Sequence, residues 1–459
     1  MLTVHLRITD AQTYRPTPVR LRISSPDGQE FPPLGRSREF PTGRNEDVGG
    51  HLRLGRERWW YIDGTCEVPL PAGVPLRIQV MKGPEFTPIN ETVVLGTGQI
   101  SLRLAIKRWT NSRADGWQTV DTRCHFLPPH TAWLEAQAED IAIAHLLAVP
   151  QPFLAHDGNT YITIPNLLAF SGQTPALERD GCAVVVNTFN THPVLGKVAL
   201  LHAHRPIFPL TFGGVDATDD WSLADWCAQC HRKKGLVVWS EPFEPLGGII
   251  GGEALVAALL GHIDALEVTG GPRKNPLLPW VYRLWDAGLL LPLVGASGKE
   301  SNQTPVGAMR TYVRGPSWIA GIRAGQTFVT AGPLLTLAHD GERVRASAQW
   351  HGDATTVEIV ANGQVIASGR GEVEATVLPG WVAARCTQPA FAHTSAIPIG
   401  SPAPPAAAVA VLQHLIEQTR EWIATQGRFT QPQRQQTLLA RCQAAVQRLT
   451  TPHGADRKT

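Results

Sequence analysis

Between Gly116 and Gly332 short apolar runs alternate with helical stretches, and that rhythm limits the fold more than anything else in the chain. Residues 184–186, 235–238, 265–268 and 290–294 are dominated by Val and Leu, the composition of strands buried on both faces. Helical patterns fall between them, at 131–144, 222–234, 252–261 and 277–287. Parallel strands need long crossovers, and repeated βα units close most readily into a barrel. The expected class is α/β, with a distorted β/α barrel over 111–333.

The flanks read differently. Residues 1–110 carry short alternating strands, such as 19–23 and 76–80, punctuated by Asp27-Gly28, Asp63-Gly64 and Ala72-Gly73. They predict an N-terminal β-sandwich with Trp59, Trp60 and Tyr61 in its core, interrupted by a Pro- and Gly-rich excursion from 32 to 55. Residues 334–400 repeat the pattern, with an Asn362-Gly363 hairpin turn, and predict a small immunoglobulin-like sandwich. From 401 to 459 a Pro/Ala linker leads to two amphipathic stretches, marked by Leu412, Ile416 and Ile423 and then by Leu438, Cys442 and Val446. These predict a helical hairpin packed on the body of the protein. A chain of 459 residues has room for about three folding units of ordinary size.

With 41 Lys and Arg against 39 Asp and Glu, the formal charge is +2, so no long-range field draws the chain toward nucleic acid or an anionic membrane. Basic residues are not interleaved with aromatics along a stripe, which also argues against nucleic acid. No apolar run reaches about 18 residues, the length of a spanning helix. The first residues alternate like a strand rather than a signal peptide, and a cytoplasmic protein is expected. Seven cysteines, widely spread, are expected as free thiols. Cys227, Cys230 and His231 have the spacing of a c-type haem attachment site. However, Ser222 is placed to cap a helix, Leu223, Trp226, Cys227 and Cys230 share one of its faces, and Gly235 is placed to end it. A buried helix face is the expectation there.

Gly116, Trp117, Asp121, Arg123 and His125, followed by Glu139 and Asp140, have an order and spacing that resembles the opening of the CehA/McbA-type family of the PHP (polymerase and histidinol phosphatase) superfamily. Stretches at 295–299, 309–312, 324–333 and 391–395 are similar to later landmarks of that family, in the same order. The resemblance covers nearly the whole chain. It implies a PHP-like barrel flanked by β domains. It also implies two or three metal ions, such as Zn, Mn or Fe, held by His and carboxylate side chains at the carboxyl ends of the strands. A metal-bound water there would hydrolyse an ester or phosphoester.

Against that pattern most ligand positions are changed. Arg123 stands where the family has a His, and a permanently protonated guanidinium cannot ligate a cation. Ala148, Val149 and Pro150 fall where an Asp-His pair is expected, and Lys197, Glu241 and Lys299 match three further ligand steps. Asp121, His125 and Glu241 are left as metal ligands or acid-base groups, with His202, His204 or Glu300 as stand-ins if loops have shifted. Arg123, Lys197, Lys299 and Arg310 are candidate contacts for a small anionic ligand or an ester substrate, Arg310 offering a planar fork. Four readings are compatible with these residues. They are a metallohydrolase, a pseudoenzyme that binds an anion, a carbohydrate or a protein, metal-free acid-base catalysis by His125 and Glu241, and a relic ion-pair network with no chemistry.

Overall fold

The computed structural model describes residues 1–154, 157–214, 217–270, 276–400 and 402–450. Position 401 and residues 451–459 of the expected C-terminal segment lie outside the described residues. Residues 1–108 form two sheets, one of four strands built around Leu2–Asp10 and one of five built around Val19–Ser24. Period-two alternation aims Val4, Leu6 and Ile8 at Leu21, Ile78 and Val80, and these make one buried core. Trp59 and Tyr61 belong elsewhere, packed with Leu52 and Ala138.

The middle of the chain supplies a long run of strands. In chain order these are β1 (Trp117–Cys124), β2 (Ile143–Ala148), β3 (Cys182–His192), β4 (Gly196–Leu201), β5 (Leu236–Ser240), β6 (Ala265–Val268) and β7 (Leu293–Gly295). Strands β1, β2 and β3 are parallel to one another, as are β5, β6 and β7, and each is hydrogen-bonded to the next. Strand β4 runs antiparallel between the two groups, joined to β3 by a tight hairpin in which His192 faces Gly196. The run returns to its start beyond β7. Lys299 bridges Cys124 in parallel, the His125 N–H donates to Lys299 O at 2.8 Å, and the Gly298 N–H donates to Arg123 O at 3.0 Å.

Helices α1 (Pro129–Ala138), α2 (Leu223–Arg232), α3 (Gly252–Leu259) and α4 (Leu278–Asp286) connect these strands. The helix expected over 131–144 is shorter than that. Asp140 adopts a left-handed φ of 58° and Ile143 already begins β2. Helix α2 forms as anticipated, with the Ser222 hydroxyl accepting from Asp225 N at 3.0 Å and Trp226, Cys227 and Cys230 buried. Its left-handed terminal residue is Lys234, not Gly235. Gly235 is needed for a different reason, because a Cβ there would sit 2.4 Å from Cys230 Sγ. All seven cysteines are free, and burial raises the thiol pKa of both Cys227 and Cys230.

Strand β8 (Arg310–Arg314) pairs with β1, and β9 (Thr327–Thr330) pairs with β8. From β9 the same sheet continues through Ala392–Thr394 into Gly380–Cys386 and the hairpin that turns at Asn362 and Gly363, both at positive φ. A second small sheet around Arg343–Trp350 covers it, and Val344, Ala346, Ile359 and Val382 fill the space between. Finally, α5 (Trp318–Arg323) follows β8. The long helices α6 (Ala406–Thr425) and α7 (Pro432–Thr450) lay Leu412, Ile416, Ile423, Leu438 and Cys442 into the same core as Leu255 of α3 and Trp285 of α4. Among the described residues no helix is long and apolar enough to cross a membrane.

Candidate functional site

Asp121, Arg123, His125, Lys197 and Glu241 meet where β1 and β5 end, and almost all of their polar atoms are already engaged. Asp121 is fully buried. Its Oδ1 accepts from Ser297 N at 3.0 Å and Arg123 N at 3.2 Å, and its Oδ2 accepts from Gly307 N at 2.7 Å and Cys124 Sγ at 3.1 Å. Four donors on two oxygens make this carboxylate a brace between the end of β1 and two loops and leave a cation no free oxygen.

Arg123 lies across the strand ends with 3% of its surface exposed. Its Nε donates to Glu267 Oε2 at 3.0 Å and its Nη2 to Glu267 Oε1 at 2.8 Å, a two-pronged pairing, while Nη2 also reaches Glu241 Oε1 at 3.1 Å. The Phe189 ring lies 5.2 Å beneath the guanidinium. Burial works against the Arg123 charge, but Glu267 and then Glu241 outweigh it and raise the pKa above its ordinary value. Lys197 completes the chain by bonding Glu241 and, at 2.7 Å, Glu244. For Glu241 burial pushes upward, yet Arg123 and then Lys197 pull its pKa down to about 2. Two cations, Arg123 and Lys197, therefore face three carboxylates, and the cluster carries a net negative charge.

His125 donates from Nδ1 to Leu147 O at 3.0 Å, which leaves Nε2 as an acceptor with no partner among the described residues. Burial first, then the Arg123 charge, holds its pKa down to about 3, so the ring is neutral at ordinary pH. Lys299 and Arg310 point elsewhere. Lys299 Nζ is fully buried against Glu135 at 3.3 Å and the carbonyls of Ser301 and Thr304. Arg310 gives Nε to Gly307 O at 2.9 Å and Nη1 to Glu139 O at 2.6 Å. Its fork clamps two loops.

The stand-in ligands are either already paired or lie at the other end of β5. Glu300 pairs with Arg44 at 2.8 Å. His202 follows Leu201, which pairs with Leu236 at the opposite end of β5 from Glu241. Position 148 ends β2 with a fully buried Ala. Among the described residues no three His, Cys, Asp or Glu side chains converge to hold a metal ion. The donor set left beside His125 is one imidazole nitrogen and a carboxylate tied to two cations, which does not fit Zn, Mn or Fe.

Access is equally restricted. The cleft beside Lys197, Trp239, Glu241 and Phe243 has about 10 Å³ of room, enough for roughly one water. The irregular excursion near residue 45 lies on the loop that follows Lys299. Asn45 N donates to Glu300 O, Gly49 N to Asn302 Oδ1 at 2.8 Å, and Asn302 Nδ2 back to Pro41 O at 2.9 Å. A wider depression of about 380 Å³ sits among Trp350, Asp353 and Arg370, and none of the predicted site residues lines it. Compared with protein-family models, curated proteins and solved structures, the chain has no match.

Glu267 was the residue that sequence reasoning missed. A carboxylate inside the apolar strand Ala265–Val268, buried on both faces, requires a cationic partner, and that requirement was readable from the strand alone.

Proposed function

We propose that this chain is a divergent PHP-like protein in which a fixed ion-pair network occupies the place of the metal site, and that it works as a non-catalytic binding or scaffold protein. The return of the seven-strand run from β7 to β1 supports a PHP-like distorted barrel. The single observation that carries the functional reading is the two-pronged Arg123–Glu267 pair, reinforced by Glu241 and Lys197.

Arg123 and Lys197 occupy the carboxylate oxygens that a metal ion would need. Acid-base catalysis without a metal is also poorly served. A group whose pKa lies near the operating pH exchanges protons best, whereas His125 is held at about 3 and Glu241 at about 2. The excess of carboxylate disfavours a small anion or an ester's developing negative charge at this point.

Elemental analysis of protein purified without chelators tests the reading, with His125→Ala and Glu241→Ala alongside. The expected result is metal far below one equivalent per chain in all three. A full equivalent of Zn, Mn or Fe that disappears in either variant would restore the hydrolase.

A further inference from the structure

The other end of β5 presents a contrasting cluster. Helix α2 finishes in Arg232, Lys233 and Lys234, and the turn after β4 brings Arg205 beside them. The contacts are direct. Lys233 Nζ donates to Pro206 O at 3.2 Å, and His204 Nδ1 and Gln173 Nε2 both donate to Lys233 O at 3.3 Å. Arg205, Arg232 and Lys234 are exposed and have no carboxylate partner among the described residues. Asp264, which faces the last turn of α2, is already bonded to His231 at 2.9 Å and Arg323 at 3.2 Å. Burial lowers the Lys233 pKa, Cys230 opposes that shift, and Arg205 and Arg232 add to it.

A structural explanation exists, since cations at the end of a helix offset its dipole. That dipole amounts to roughly half an elementary charge, and Arg205 comes from a different segment altogether. Beside the cations lie apolar side chains with nothing over them. Phe208 is 53% exposed two residues beyond Pro206, and Leu168 is fully exposed. Leu168 is on the turn that leads to Gly172, which packs against the backbone of Ala203 and His204.

We propose that this face, with Arg205, Arg232, Lys233 and Lys234 beside Leu168 and Phe208, docks reversibly on an anionic lipid surface. Cations placed together meet the headgroup charge, and exposed aliphatic and aromatic tips enter the interface. Nucleic acid is the less suited polyanion, because its phosphate backbone engages the cations alone and gives the exposed tips of Leu168 and Phe208 no apolar phase to enter. The net charge of +2 conceals the patch, since over the whole chain 39 Asp and Glu offset most of the 41 Lys and Arg. The proposal stands independently of whether the strand ends bind metal.

The test is co-sedimentation of the full chain with phosphatidylcholine vesicles and with mixed phosphatidylcholine–phosphatidylserine vesicles at low and high salt. Binding to the mixed vesicles alone, weakened by salt, is expected. Arg232→Gln/Lys234→Gln lowers the partition coefficient by about ten- to thirtyfold at unchanged unfolding midpoint, and Leu168→Asp lowers it even at low salt. Failure to bind mixed vesicles, or equal binding to both kinds, overturns the proposal. So does tighter binding of a short DNA duplex that Leu168→Asp leaves untouched.

Discussion

The two ends of β5 hold similar numbers of cations in opposite circumstances. At the Ser240 end Arg123 and Lys197 are each bonded to two carboxylates and largely withdrawn from water. At the Leu236 end Arg205, Arg232 and Lys234 stand in solvent with no carboxylate partner among the described residues. A charge that has already found its counter-charge across a strand is architecture, whereas one left unmatched on a surface is available to another molecule. Residue type alone does not distinguish them.

The largest expected effect comes from breaking the buried network. Glu267→Ala leaves Arg123 buried with only Glu241 to answer it, and urea denaturation should register a loss of about 3–5 kcal/mol. A loss below about 1 kcal/mol would mean that Arg123 swings out to water and that the strand ends are not locked.

Next comes pH. Glu241 has a folded pKa of about 2 against an ordinary value of 4.5, so its contribution is complete above 4.5 and is lost as pH falls toward 2. Because part of the pair is solvated, Glu241→Gln should cost about 1–3 kcal/mol at neutral pH. That cost should shrink steadily as unfolding curves are recorded below pH 4.5. His125 acts over the neighbouring interval with the same sense. Its pKa is depressed from 6.5 to about 3, the native ring resists protonation, and stability falls as pH drops from 6.5 toward 3. The acid limb of wild-type stability should therefore begin near pH 6.5 and become shallower in His125→Gln.

Helix α2 lies between the two regimes. Ser222→Ala removes both its N-cap and a partner of Arg441, and a loss of about 1 kcal/mol is expected from the cap alone. At the far end of that helix, Arg232→Gln/Lys234→Gln should shift stability by no more than about 0.5 kcal/mol. A larger destabilisation would show that those cations serve the fold after all and would erase the contrast.

Local features were legible in the chain, and distant pairings were not. The strand at Ala265–Val268, the Ser222 cap and the Asn362-Gly363 turn each depend on a few neighbouring residues. The end of α1 was misjudged because Ala and Ile continue a helical pattern past the left-handed Asp140, and only pairing with β3 and β1 makes 143–148 a strand. Strand β4 lay hidden because a hairpin was unexpected among parallel units. The partnership of Arg123 with Glu267 spans 144 residues, and no local pattern encodes it. Similarly, Arg310 looked free to receive an oxyanion until the carbonyls of Gly307 and Glu139 took its donors.

The strap around Gly49 has a consequence in time. Its anchor, Asn302, comes 253 residues later in the chain. At a synthesis rate of roughly 5–20 residues per second, the strap leaves the ribosome roughly 13–50 seconds before its anchor exists. During that interval the N-terminal sheets must hold an unmoored loop, and the Gly50 N–H that will donate to Glu135 waits for that helix too. A newly made chain therefore cannot moor this loop over its strand ends until residue 302 has been made.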